Sequence, residues 1–232
     1  MILRDHRPRH GIDRSARGVI AALLVAVSVA TAATPHADAG WRAYQRGEYA
    51  AARAMYAQGA ASGERLAEFN LAMMMLRGEG GSLDLEGGVD WLRKAAEAGL
   101  PQAQFNLGLL YESGAGVERS LTAATEWWQK AAEQGHADAQ VQLATQYFLG
   151  RGAPKDWQLA ARWYEAAAES GDVGAQYIIG SFYEHGDGVP QDLRKALDWY
   201  VAAAKQGDAG AAVQAKDVAR RLAERAGPAP KP

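Results

Sequence analysis

No cysteine occurs in the 232 residues. That excludes disulfide staples, thiolate metal sites and a lipid anchor carried on a terminal cysteine. Neither sign of charge is in excess. Twenty-five basic and 27 acidic side chains leave a net of −2, so the basic stripe of a nucleic-acid binder is missing. Chemical motifs are scarce too: there is no G-x-S-x-G elbow, no G-x-x-x-x-G-K-[ST] phosphate loop and no H-E-x-x-H. No ligand set at metal spacing is present and no cofactor is implied. Beyond residue 39 the only histidines are His136 and His185. Glu184, His185 and Asp187 read as a solvated helix end, because a catalytic histidine needs a partner held in fixed geometry.

Long apolar runs are also lacking, with one exception. Arg4, Arg7, Arg9, Arg14 and Arg17 precede the uncharged run Gly18–Thr34; Ala30-Thr31-Ala32 near its end and Ala37-Asp38-Ala39 beyond it are A-x-A sites. This pattern reads as a secretory signal over 1–39, cut after Ala32 or, more attractively, after Ala39. The competing reading is an uncleaved anchor, for which the run is slightly short. Either way the remainder is expected in the periplasm or outside a bacterial cell, or tethered to the inner membrane facing the periplasm. Membrane contact is expected only through this segment.

What the chain has in abundance is copies of itself. Ala67, Ala103, Ala139, Ala175 and Ala211 recur every 36 residues, as do Gly78, Gly114, Gly150 and Gly186, and Trp91, Trp127, Trp163 and Trp199. A fixed period of this length means one supersecondary unit stacked on itself. Within a unit, Phe105, Leu107 and Tyr111 are spaced for a first helix. Gly114 and Gly116 break it. Asp84, Ser120, Asp156 and Asp192 are N-cap types that open a second helix. Gly63, Gly99, Gly135, Gly171 and Gly207 close it. The four tryptophans, each four residues before a small Ala95, Ala131, Ala167 or Ala203, read as core rather than a sugar-stacking ladder. Truncating Trp127 is then expected to cost about 3–5 kcal/mol.

The stretch IIGSFYEHGDGVPQDLRKALDWYVAAAKQG at Ile178–Gly207 resembles the Sel1-like repeat, a relative of the tetratricopeptide repeat. The resemblance covers roughly 67–210 and recurs four times. It implies an all-α, right-handed α-α superhelical solenoid with repeats over 67–102, 103–138, 139–174 and 175–210. A shortened tetratricopeptide-like unit over 40–66 precedes them. A capping helix over 211–226 follows, its charges giving the polar end face a solenoid requires, and then a disordered tail over 227–232.

The same resemblance implies a non-enzymatic scaffold that binds a protein or peptide partner, and no nucleic acid, on the concave side lined by first helices. Its rows are Asn70, Asn106 and Gln142, broken by Ile178, and Met73, Leu109, Thr145 and Ser181. Side-chain amides can both donate to and accept from a peptide backbone, although the same row also reads as a plain solvated face. In the third repeat Phe148-Leu149 and Trp157 add apolar surface, as an anchor pocket for the partner or as Trp157 covering Phe148. Two other functions stay open: a cell-wall or β-lactam hydrolase, as suggested for cysteine-rich relatives, and a structural spacer in a membrane-linked complex.

Overall fold

A computed structural model describes residues 35–226, all of whose regular structure is α-helical. The apolar run Gly18–Thr34 and the Ala30-Thr31-Ala32 site lie outside the described residues. The chain divides into two compact units at Ser120/Leu121. The first holds α1 (Pro35–Gln45), α2 (Tyr49–Ala61), α3 (Arg65–Arg77), α4 (Leu85–Glu97) and α5 (Pro101–Ser113). The second holds α6 (Leu121–Glu133), α7 (Ala137–Leu149), α8 (Trp157–Glu169), α9 (Val173–His185), α10 (Leu193–Lys205) and α11 (Ala209–Ala226). Within each unit every helix packs on the next in chain order, the serial stacking of the solenoid fold class.

The even-numbered helices from α2 to α10 begin 36 residues apart and each spans 13 residues. Their ends are chemical. Asp84 accepts from the Gly87 amide, and Asp156 and Asp192 accept from the amides two and three residues on. Each of these satisfies a first-turn donor that the helix itself cannot. The N–H of the cap position then reaches back nine residues, from Ser120 to Tyr111 O, Asp156 to Tyr147 O and Asp192 to Tyr183 O, at 2.8–2.9 Å. At Asp156 and Asp192 that bond folds the second helix of the pair onto the first.

The second glycine of each loop locks one pair to the preceding one. A Cβ on Gly152 would lie 2.3 Å from the Leu121 carbonyl oxygen, at the start of α6, and 2.6 Å from Thr125 Oγ1. At Gly188 the same atom would lie 2.1 Å from the Trp157 carbonyl oxygen, and at Gly80 2.3 Å from that of Tyr49. Only a residue without a side chain lets the loop rest on the neighbouring backbone.

A second tie runs through buried glutamines. Gln104, Gln140 and Gln176 each donate Nε2 to the carbonyl eight residues back, at Ala96, Ala132 and Ala168, over 3.1–3.3 Å. Each therefore joins the start of a first helix to the end of the second helix before it.

Three expectations are corrected by the packing. The recurring tryptophans are half-buried, and Lys94 and Lys130 sit 3.9 Å over the rings of Trp91 and Trp127. The core position is one residue later: Leu92, Trp128, Tyr164 and Tyr200, with Trp128 fully enclosed at 0% exposure. Since a helix turns about 100° per residue, adjacent aromatics cannot share a face, and the buried stripe passes through the second of them.

Next, α1 begins at Pro35 rather than Gly40. Ala37, Gly40 and Ala43 are buried, and Gly40 has the Tyr56 ring where a Cβ would sit, so the Ala39–Gly40 bond lies inside a packed helix. Three residues join α1 to α2 where seven join α3 to α4, the shortening expected of this unit.

Glu184, finally, is not solvated. It is buried, accepts from Tyr200 Oη at 2.8 Å and is paired with Arg221 of α11. The end helix is thereby held by a charge that its sequence suggested would face water. His185 is exposed, its Nδ1 2.9 Å from the Ser181 carbonyl oxygen.

Two stability measurements test this account. Gly152→Ala should cost about 3 kcal/mol or more, from strain at a positive φ plus the clash. Gly135→Ala, at φ +84 with nothing near the added carbon, should cost about 1–2 kcal/mol. Likewise Trp128→Ala should cost about 3–5 kcal/mol and Trp127→Ala about 1–2 kcal/mol. Urea unfolding of the four variants gives the order, and equal losses within either pair would contradict it.

Candidate functional site

The first helices are α3, α5, α7 and α9, and the expected partner-facing residues all lie on them. Asn70 is half-buried on α3 between core residues Phe69 and Leu71. Asn106 is half-buried on α5 and Gln142 on α7. No side-chain hydrogen bond within the protein occupies Asn70 or Gln142 among the described residues. Asn106 differs, because its Nδ2 donates to the Gln102 carbonyl at 2.7 Å and leaves its oxygen as the free acceptor.

The second row is less uniform. Met73 is only 6% exposed and belongs to the core, so it drops out of the accessible surface. Leu109 stays half-buried. Thr145 donates to Val141 O at 2.8 Å and shares a 3.0 Å hydrogen bond with Tyr164 Oη, while Ser181 Oγ lies 3.3 Å from His185 Nδ1. These hydroxyls are already engaged, because Ser and Thr in a helix readily bond the carbonyl one turn back.

Phe148 meets Trp157 edge-on at 4.9 Å, and both rings lie 5.9 Å from Phe182. Lys155 reaches over the indole at 4.6 Å. Of the two readings of this stretch, the packing is that of Trp157 covering Phe148, an aromatic cluster closed on itself. Leu149 alone remains 45% exposed there.

Two features went unnoticed in the sequence. One is a cleft of about 450 Å³ in the first unit, lined by Ala50, Ala54 and Ala57 with Leu71, Met75 and Trp91. Its signal was present: the positions of Ala50, Ala54 and Ala57 hold Glu86, Asp90 and Arg93 one period later. At this cleft Arg53 donates to the Ser82 carbonyl at 3.0 Å. The other is Gln146, 3% exposed, whose Oε1 has no partner although Met74, Leu110 and Phe182 occupy its place in the sister repeats.

Titratable groups are perturbed where burial demands it. Burial lowers the His136 pKa, and the neutral ring caps α7 by accepting from the Ala139 amide at 3.3 Å. Burial and then the Glu184 carboxylate raise the Tyr200 hydroxyl. Both are structural placements. Among the described residues no group of three or more His, Asp or Glu is arranged to hold a metal ion, and no helix is long and apolar enough to cross a membrane.

The Sel1 repeat matches over 65–100, 101–136, 137–172 and 173–208, each block opening two residues ahead of the repeat boundaries read from the sequence. A Sel1 repeat protein from Oxalobacter formigenes is 34% identical, with a TM-score of 0.70, over 80% of this chain and 74% of its own. The protein c5321, a protective antigen present in uropathogenic Escherichia coli strains, is 32% identical with a TM-score of 0.72. That match covers 82% of this chain and 45% of that protein, so the chain spans under half of its length. No curated protein matches the chain. Four consecutive matched repeats, with helices and turns in the places just described, make this chain a member of the Sel1 repeat family.

Proposed function

We propose that this chain is an adaptor of the bacterial cell envelope that binds a protein or peptide partner through residues of its first helices. Members of the family are in general non-enzymatic scaffolds for protein interaction. The observation that carries the reading is made separately in each unit, at Asn70 in the first and at Gln142 in the second. They are partly exposed amides at one repeat position, with neither end engaged by the protein. An amide with both ends free can pair with a peptide N–H and C=O together, whereas most of the neighbouring hydroxyls are spent internally. Asn106 adds an acceptor at the same position and Leu109 an apolar contact.

Envelope placement is supported by the arginine-rich start and the apolar run that follows. The burial of Ala37 and Gly40 favours processing ahead of Pro35, after Ala32, since a cut after Ala39 would strip the first turn of α1.

Two experiments follow. Crosslinking in cells and mass spectrometry identify the partner, and its affinity is then measured for Asn70→Ala/Asn106→Ala/Gln142→Ala. We expect a loss of tenfold or more with an unchanged circular dichroism spectrum, and unchanged affinity refutes the assignment of these helices. N-terminal sequencing of the exported protein should begin at Ala33, and a start at Gly40 would contradict the processing site.

A further inference from the structure

The glutamine tie that joins successive pairs has an odd member. Gln104, Gln140 and Gln176 each donate to the last-turn carbonyl of the preceding helix. One period earlier the position is Glu68, on α3, and the corresponding carbonyl is that of Ala60 on α2. Glu68 is buried at 8% exposure. An ionised carboxylate has no hydrogen to offer a carbonyl, whereas a protonated one carries an O–H donor in the place of the amide.

Among the described residues no side chain of the protein supplies a substitute donor. Gln176 receives a further bond on its Oε1 from Gln206 at 2.9 Å, and the residue equally placed with respect to Glu68 is Ala98, which has no side-chain donor. Lys94 of α4 and Arg65 of α3 favour the charged form by Coulomb attraction, and neither hydrogen-bonds the carboxylate. No charge from α1 or α2 bears on it, His36 of α1 being taken up by Glu64 at 2.6 Å.

We infer that Glu68 is a proton-operated tie: protonation completes its bond to the Ala60 carbonyl and fastens the opening helices to the first repeat, and ionisation releases it. The titration agrees in direction. Desolvation raises the Glu68 pKa, outweighing Lys94 and Arg65. A carboxyl whose folded pKa is raised binds its proton more tightly in the folded state. Its contribution is therefore complete below the ordinary carboxylate range and lost as pH rises through the raised value. The opening unit is thus tightened by acid, opposite to the usual behaviour of a paired surface carboxylate such as Asp217.

Replacement by the sister residue tests this in the full chain. Glu68→Gln makes the tie permanent and should raise the melting temperature by about 2–4 °C at pH 7.5. The gap to the unsubstituted protein should close as pH falls toward about 4.3. Comparison at each pH cancels the titration of every other group, including His136. The reciprocal change, Gln140→Glu, should lower the melting temperature at pH 7.5 and recover part of the loss in acid. The inference is overturned if Glu68→Gln is neutral or destabilising at pH 7.5, or if its effect is the same at both ends of the range.

Discussion

One approach of backbone to backbone sets the spacing of everything else. In each junction between pairs, the second loop glycine rests on the first residue of an earlier second helix, so close at Gly80, Gly152 and Gly188 that a methyl group would overlap a carbonyl oxygen. Gly116 makes a looser version of the same contact, with Val89 Cγ2 at 3.1 Å from the missing carbon. The interlock fixes where one pair stops and the next begins, and the alanine-rich helix faces fill in behind it. Large side chains at Ala131, Ala167 or Ala203, all at 0% exposure, would hold the helices too far apart for that contact.

Polar groups inside such a stack must be matched, and most are. The three glutamine ties, the aspartate caps and the Glu184–Arg221–Tyr200 network each satisfy a group that burial would otherwise penalise. Exceptions are therefore informative. Gln146 sits where sister repeats are apolar and leaves its carbonyl oxygen unpaired, and nothing in the structure explains it. Glu68 stands in a place built for an amide. At Asn70 and Gln142 the amides are free but partly exposed, so water satisfies them at little cost.

The candidate row is legible in the sequence because it inherits the repeat. Asn70, Asn106 and Gln142 were found by counting in 36s, and the structure leaves them half-exposed. Counting could not show that Met73 is buried while Leu109 is not, since that depends on what packs above each residue. Nor could it choose between a pocket and a closed cluster at Phe148, which turned on the angle at which Trp157 approaches. The cleft beside Trp91 was written in three alanines, yet small residues also mark tight packing, and only the separation of the helices distinguishes the two.

By itself the sequence determined the period, the helix ends and the family, because caps, glycine breaks and apolar spacing act within a few residues of one another. Hence the even-numbered helices begin at 49, 85, 121, 157 and 193, as the repeat requires. The tertiary structure alone decided which of two neighbouring aromatics is enclosed, that the opening helix starts at Pro35, and that Glu184 turns inward to Arg221. Those outcomes depend on the rotation of each helix against its neighbours. The pair Glu184 and Arg221, for one, is joined across 37 positions of chain, well beyond the reach of any local pattern.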